Sequence, residues 1–470
     1  MTVLFCSSEA LPFVSSGGLA DVCYSLPRAL KEKNIDCQIV IPLYECVSDK
    51  FKKDMKFLTS FYVPLAWRSL YCGAFELEYK GIKYYFLDNE YYFKRHELYG
   101  YFDEAERFAF FSRAVLEMLK NINLKPDIIH SNDWQTALVP AYYRCIYQNF
   151  DFYKNIKTVF TIHNIHYQGK FDKHVSEDII GIDDKNLTVY DGCTNFMKAG
   201  IETADKVTTV SKTYSFEILN SWFSYGLHFT LQQNSHKLIG ILNGIDPDFY
   251  NPETDNEIYE NFSKKELNKK YINKEKLQER LNLKVDKNIP MVGMVTRLVD
   301  DKGIDLILNI LDSLLKEEDF QFVILGSGEK NYEEFFDNLQ KKYPGRMSSC
   351  HGFVPELSRK IYAASDIFLM PSKKEPCGLA QMIALRYGSI PIVRETGGLF
   401  DTVKDSGDKK GNGFTFKTYN AHDLKASIKR ALKGYKNKTG WKTLTKRAMS
   451  CDNSWNKSSK EYVKLYESLM

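Results

Sequence analysis

The sequence has 470 residues, and at about 100–200 residues per domain that length predicts two or three domains. Its 64 basic and 60 acidic residues give a formal net charge of +4, too balanced to point to nucleic acid or a membrane surface. Ten cysteines with no CxxC pair read as free thiols in a reducing compartment, not as a disulfide framework or a zinc site.

No stretch approaches the roughly 18 apolar residues that span a bilayer. Met1 to Phe5 is apolar but has no basic n-region and no long h-region, so it reads as a buried strand, not a leader. The expectation is a cytoplasmic protein with no membrane partner. The many Tyr and Phe suit sugar rings as well as core packing, and core packing is the simpler account.

Short apolar runs alternate with amphipathic stretches. Thr2–Cys6, Cys37–Pro42, Lys83–Leu87, Ile128–His130, Thr158–His163 and Lys206–Val210 read as strands, and Ala20–Lys33 and Glu104–Asn121 as helices. This alternation predicts a parallel sheet with helices on both faces. The pattern then restarts. Ile289–Thr296, Phe320–Leu325, Ile367–Met370 and Ile390–Arg394 are strand-like, and Lys302–Leu315, Tyr332–Tyr343 and Leu379–Tyr387 are helix-like. The polar stretch Asn251–Lys276 lies between the halves. The fold expected is α/β, with two Rossmann-like doubly wound domains facing each other across a cleft. Its parts are an N-terminal domain over 1–240, a C-terminal domain over 241–455 and a closing helix over 456–470. Such folds take ligands at the carboxyl ends of their strands.

Several strand ends carry glycines. Ser15-Ser16-Gly17-Gly18-Leu19-Ala20-Asp21 precedes a helix, where backbone amides can approach an anion; alone, it is a tight turn. Thr296 to Gly303 places Arg297 and Lys302 around a strand-to-helix turn, so both cations could face a diphosphate; alone, it is a solvated basic loop. Gly326-Ser327-Gly328 fails the dinucleotide pattern because Asn331 replaces the third glycine. In Pro371 to Leu379, Glu375 stands beside Pro376-Cys377-Gly378-Leu379, and Thr396-Gly397-Gly398-Leu399 repeats the glycine signal. His163 and Asn164 end a strand, where a histidine serves a sugar hydroxyl or simply the core. No cluster has metal-ligand spacing, so no metal is expected.

Taken in order, these segments resemble the bacterial glycogen synthase and plant starch synthase family, retaining glucosyltransferases of the GT-B fold. The resemblance runs nearly end to end. It rests on Ser16 to Val22, on Asp127 to Gln135 with its Asp133-Trp134 pair, and on Thr161-Ile162-His163-Asn164 with Tyr167-Gln168-Gly169. Asn243-Gly244-Ile245-Asp246, Arg297 to Gly303, Glu375 to Leu379, Thr396 to Leu399 and the closing Asp452–Tyr466 complete it.

The resemblance implies transfer of glucose from ADP-glucose to the non-reducing end of an α-1,4-glucan such as glycogen, with no cofactor and no metal. Arg297 and Lys302 would grip the diphosphate. Glu375 would sit beside the glucose, with Cys377, Gly378 and Leu379 lining that pocket. His163 would lie near the transferred group, Asp133 would support the cleft, and Asp21 and Asn243 would line it. Phe353 takes the place of an aromatic that stacks on the base, and Tyr99 and Arg107 would help to place the acceptor. Two departures stand out: Ser15 where the family usually has Lys, and Ala380 where it usually has Thr. UDP-glucose as donor, a pyridoxal-phosphate phosphorylase and a non-catalytic glucan-binding homologue are the alternatives.

Overall fold

The computed structural model describes all 470 residues. The chain forms two compact units, Met1–Asn243 together with Trp455–Met470, and Gly244–Ser454.

The first unit is built on nine strands: β1 (Thr2–Cys6), β2 (Asp36–Pro42), β3 (Lys56–Leu65), β4 (Arg68–Tyr79), β5 (Ile82–Asp88), β6 (Ile128–Asn132), β7 (Lys157–Ile162), β8 (Lys206–Thr209) and β9 (Leu238–Gly240). They lie in the order β9-β8-β7-β6-β1-β2-β5-β4-β3. All neighbours are parallel except at one edge, where β3 and β4 form an antiparallel hairpin that continues onto β5. Without that hairpin the sheet is doubly wound, and its strand order reverses between β1 and β6. A small three-stranded sheet of Lys170–Phe171, Val189–Tyr190 and Cys193–Asn195 lies apart.

The strands are apolar because both faces are covered: Val3, Leu4, Phe5, Ile128 and Ile129 are fully or almost fully buried. Helix Glu104–Asn121 buries Phe108, Phe111, Val115 and Leu119 at three-to-four spacing. The C-terminal helix Trp455–Glu467 packs against helix Gly18–Lys31. It buries Tyr462 and Tyr466, and the Tyr466 hydroxyl lies 2.7 Å from His130 Nδ1. The other ring nitrogen of His130 is 2.6 Å from Thr161 Oγ1. His130 is therefore a satisfied core histidine, and burial lowers its pKa to about 3.

The second unit has six strands: β10 (Met291–Val295), β11 (Gln321–Leu325), β12 (Met347–Cys350), β13 (Ile367–Met370), β14 (Ile390–Arg394) and β15 (Phe414–Phe416). Their order is β12-β11-β10-β13-β14-β15, all parallel. Counted within the unit this is 3-2-1-4-5-6, the doubly wound order, which reverses between β10 and β13. Helix Ile304–Glu317 buries Ile307, Ile310, Leu311 and Leu314 against Val292, Phe322 and Leu369. Each such side chain contributes about 1.5–3 kcal/mol.

The polar stretch before β10 holds a helix, Asn268–Arg280. Its inward side chains are polar but satisfied. Lys270 donates to the carbonyls of Ala363 at 2.8 Å and Tyr387 at 3.0 Å, and Lys274 pairs with Asp366 at 2.6 Å.

Candidate functional site

In the first unit Ser15 to Asp21 follow β1 and Asp133 follows β6, and in the second Arg297 to Gly303 follow β10 and Glu375 follows β13, so these residues lie beyond the carboxyl ends of the strands between which strand order reverses. That is where a doubly wound sheet leaves a crevice for ligands.

In the first unit the chain leaves β1 and turns back on itself through Glu9. This carboxylate is buried. It accepts hydrogen bonds from the backbone amide of Ser16, from Ser16 Oγ at 2.7 Å and from the Tyr99 hydroxyl at 2.6 Å. Tyr99 is also 2.8 Å from Ser8 Oγ. Glu9 and Tyr99 thus clamp the base of a loop whose tip, Ser15 to Gly18, is exposed. Helix Gly18–Lys31 begins there with no side-chain cap, so its first amides remain uncovered. Nothing lies within 4 Å of where a side chain on Gly17 would begin, and its backbone is extended at φ −174°. The fold itself places no demand for glycine at that position. Asp21 lies in the first turn, and burial raises its carboxyl to about 6.

Asp133 follows β6 at φ 56°, a left-handed conformation uncommon outside glycine. Its Oδ1 accepts from the backbone amides of His163 at 2.8 Å and Asn164 at 3.3 Å, hooking the end of β7 onto the end of β6. Burial raises the Asp133 carboxyl to about 7, against the opposing pull of those two amides.

His163 Nε2 lies 2.9 Å from Asn132 Oδ1. The Asn132 side-chain amide donates to the carbonyls of Cys6 at 3.1 Å and His130 at 3.2 Å, which fixes its oxygen toward His163. The proton of His163 is therefore assigned to Nε2 by its hydrogen bonds. Burial lowers the pKa of this ring to about 3, so it is neutral at physiological pH.

Asn164 turns its side chain onto the His166 amide at 3.0 Å, closing a local turn. Asn243 is buried, and its side-chain oxygen has no hydrogen-bond partner. Arg107 does not fit an acceptor role. It is fully buried and donates to the carbonyls of Tyr92 at 2.8 Å and Leu98 at 3.3 Å, so it braces the loop that carries Tyr99.

In the second unit three strand-end loops meet. Lys302 Nζ lies 2.6 Å from Glu375 Oε2, with side chains only 20% and 9% exposed. Ser372 Oγ donates to the same carboxylate oxygen at 3.0 Å. Backbone contacts lock the loops together. The Lys373 amide donates to the Asp301 carbonyl at 2.8 Å, and the Gly398 amide reaches the Glu375 and Pro376 carbonyls, each at 3.2 Å. Here the glycines are required. A side chain on Gly303 would run into the Pro371 carbonyl, and one on Gly397 or Gly398 into the carbonyls of Glu375 or Cys377. They let the backbone approach that positions Glu375.

Arg394, the last residue of β14, donates to the Ser372 carbonyl at 2.9 Å and to that of Lys373, bracing the loop from the other side. Cys377 is buried, Gly378 turns the chain at φ 73°, and Leu379 immediately precedes helix Ala380–Arg386. Arg297 is exposed and makes no hydrogen bond or ion pair, so its guanidinium is uncommitted. Phe353, after β12, is 93% exposed and packs on no other ring.

The structure thus joins Lys302 to Glu375, and Asp133 to His163 and Asn164. Arg297, Phe353, Ser15 and Gly17 stand exposed at strand ends. Glu9, Asn132, Ser372 and Arg394 were assigned no role from the sequence, although Asn132 and Ser372 lie within segments it singled out. Their only signal was a polar residue at or just after a strand end.

Residues 2–233 match the family model described as the starch synthase catalytic domain, and residues 273–447 match glycosyl transferases group 1. The glycogen synthase of Alkaliphilus metalliredigens is 49% identical over the whole of both chains. That of Geobacillus stearothermophilus is 46% identical over this whole chain and 98% of its own. Among solved structures, the catalytic domain of starch synthase IV from Arabidopsis thaliana, bound to ADP and acarbose, superposes with a TM-score of 0.92. It is 36% identical and covers 100% of this chain and 99% of its own. A sucrose-phosphate synthase from Thermosynechococcus elongatus, 18% identical with a TM-score of 0.63, shares the fold. The chain belongs to the glycogen synthase and starch synthase family of glycosyltransferases and has its GT-B fold of two Rossmann-like units.

Proposed function

We propose that this protein transfers glucose from ADP-glucose to the non-reducing end of an α-1,4-glucan, with retention at the anomeric carbon. The observation that carries the reading is the Lys302–Glu375 pair, held where three strand-end loops converge with the uncommitted Arg297 nearby in sequence. A departing ADP carries its charge on a diphosphate. Preorganised cations aimed at charge that develops in the transition state supply the largest single term in many such reactions. Lys302 has three donors and can hold Glu375 and a phosphate oxygen together. Arg297 has a full fork to offer. In this reading those two groups, rather than a metal, neutralise the leaving group.

Glu375 then faces the sugar hydroxyls, and Cys377, Gly378 and Leu379 shape the pocket around them. The uncapped first turn of helix Gly18–Lys31 offers amides to an anion across the open space above Gly17. His163, neutral with its proton on Nε2, is an uncharged partner near the transferred glucosyl group. Asp133 and Asn132 hold it there. Asp21 and Asn243, whose buried oxygen lacks a partner, line the acceptor side, and Phe353 offers an exposed ring to the adenine. The departing phosphate takes the acceptor's proton as the new bond forms, which balances the transfer without a separate base.

The ADP in the Arabidopsis relative supports adenine over uracil as the base. The test is incorporation of labelled glucose from ADP-glucose into glycogen, followed by digestion of the product with an enzyme specific for α-1,4 linkages. Label released by that digestion supports the reading. No incorporation by folded protein rejects it.

A further inference from the structure

The turn that carries Lys302, from Arg297 to Gly303, has only Leu298 and Val299 as apolar side chains. Burial alone does not set its position, and two neighbouring segments do so instead. The first is the loop after β11. The Leu298 amide donates to the Ser327 carbonyl at 2.9 Å, and the Glu329 amide donates to the Leu298 carbonyl at 2.9 Å. Gly326 and Gly328 permit this approach. A side chain begun on Gly326 would fall 1.8 Å from the Thr296 carbonyl oxygen, and one on Gly328 would fall 2.2 Å from that of Leu298. The Gly326-Ser327-Gly328 segment, which fails as a dinucleotide fingerprint, thus braces the cationic turn.

Two tyrosines complete the brace. Tyr332, near the start of helix Lys330–Lys342 and buried, donates its hydroxyl to Asp300 Oδ1. Tyr419 donates its hydroxyl to Asp305 Oδ1. Asp300 opens the short helical turn Asp300–Lys302, and Asp305 lies in the first turn of helix Ile304–Glu317, so the two carboxylates flank Lys302 in sequence. Hydroxyl-to-carboxylate bonds are charge-assisted and roughly twice as strong as neutral ones. The bond to Asp300 raises the Tyr332 hydroxyl above its ordinary pKa, and burial together with the bond to Asp305 raises that of Tyr419, so both stay protonated and keep donating. Asp300 is itself exposed, so water would satisfy it without Tyr332. The Tyr419 ring also lies 5.7 Å from Lys373 Nζ and 5.7 Å from Arg394 Cζ. It therefore touches the Lys302 side and the Glu375 side of the pair at once.

We propose that Tyr332 and Tyr419 are positioning residues for the transfer reaction: through Asp300 and Asp305 they fix the turn on both sides of Lys302 and hold its ammonium between Glu375 and a donor phosphate. The proposal rests on the donor role given to Lys302 above. The tyrosines act through that lysine and need no contact with substrate. A lysine side chain is flexible, and misplacement of a charged donor by about 1 Å is enough to cost about 10²-fold in rate. Two bonds that anchor the backbone on either side of Lys302 limit that freedom before any ligand arrives.

The experiment places Tyr332→Phe and Tyr419→Phe, singly and together, in the native and the Lys302→Ala proteins. Calorimetry reports ADP affinity, steady-state kinetics reports transfer, and thermal unfolding reports stability. In the native background each variant should weaken ADP binding and lower kcat/KM for ADP-glucose about 3- to 10-fold, with KM for glycogen unchanged. Asp300→Asn, which keeps an acceptor for Tyr332, should retain more ADP affinity than Asp300→Ala. In the Lys302→Ala background the same phenylalanines should leave ADP affinity unchanged while still lowering the unfolding midpoint. Unchanged ADP affinity and kinetics in both single variants overturn the proposal. So does an equal loss of ADP affinity with and without Lys302, because the tyrosines would then support the fold alone. If native protein transfers no glucose yet binds ADP with this dependence on Lys302, the transfer reading fails and the positioning role stands.

Discussion

Lys302 and Glu375, 73 positions apart in sequence, meet at 2.6 Å in a pocket that mostly excludes water. A partly buried pair of this kind gives little net stability, because desolvation offsets the attraction. It does fix two side chains in register. Removing Lys302 leaves Glu375 held by Ser372 alone. Lys302→Ala should lower kcat about 10²–10³-fold with the fold intact, and Glu375→Gln should lower it comparably. The double variant should lose far less than the product of the two, because the residues act as a unit. Steady-state kinetics on all four proteins checks this. Near-normal turnover of Lys302→Ala would remove Lys302 from the diphosphate role.

The glycines of the two units should respond differently to one methyl group. Gly397 abuts the Glu375 carbonyl, whereas Gly17 has open space around it. Gly397→Ala should destabilise the protein by about 2 kcal/mol or more and impair activity through displaced Glu375. Gly17→Ala should alter stability by no more than about 0.5 kcal/mol, yet raise KM for the donor. Denaturant unfolding alongside kinetics separates the two. A Gly17→Ala enzyme with unchanged kinetics would mean that no ligand approaches that loop.

Acid stability should expose the buried groups of the first unit. His130 and His163, with an ordinary pKa of 6.5, are held near 3 by burial. Between those values the unfolded chain binds more protons, so their contribution to stability falls as pH drops. Asp133 works in the opposite direction. Its pKa is raised from 3.8 to about 7, so in that window the folded state holds the extra proton and stability falls as pH rises. The opposing slopes partly cancel in the native protein. Asp133→Asn removes the carboxyl contribution and keeps an oxygen for the His163 and Asn164 amides. Its stability should fall more steeply than that of the native protein on acidification from pH 6.5 to 4, by up to about 1.4 kcal/mol per pH unit. Urea midpoints measured across that range would show it, and parallel curves would contradict it.

Ser15 lies exposed just before the uncapped start of helix Gly18–Lys31 and carries no charge. Ser15→Lys should lower the donor KM about two- to fivefold, the gain expected of one screened charge near an anion. An unchanged KM, measured with ADP-glucose at fixed glycogen, would mean that another group already fills the role.

Much of this arrangement was legible before the structure. Ile367–Met370 and Ile390–Arg394 read as strands with the observed ends, and Glu104–Asn121 as a helix, because uninterrupted apolar runs and three-to-four spacing leave little choice. The β3–β4 hairpin was missed. Its turn, Ala66-Trp67, lacks the usual Asn-Gly signal and puts Ala66 at φ 49°, and its exposed tyrosines blur the alternation. Helix Asn268–Arg280 was hidden by polarity, since Lys270 and Lys274 face inward to satisfy carbonyls and Asp366. Glycine motifs located the loops, but not the buried Glu9 and Asn132 that fasten them. Burial of a carboxylate or amide comes from tertiary packing, which spacing does not encode. Arg107 looked available for an acceptor and is instead a fully buried brace.

The most direct test of the central claim is transfer of labelled glucose to glycogen, with ADP-glucose and UDP-glucose run in parallel in the presence of EDTA. The account predicts robust transfer from ADP-glucose, much weaker transfer from UDP-glucose, and no loss on chelation, because Arg297 and Lys302 carry the leaving-group charge. Failure with both donors by folded protein, or transfer that depends on added divalent metal, would contradict it.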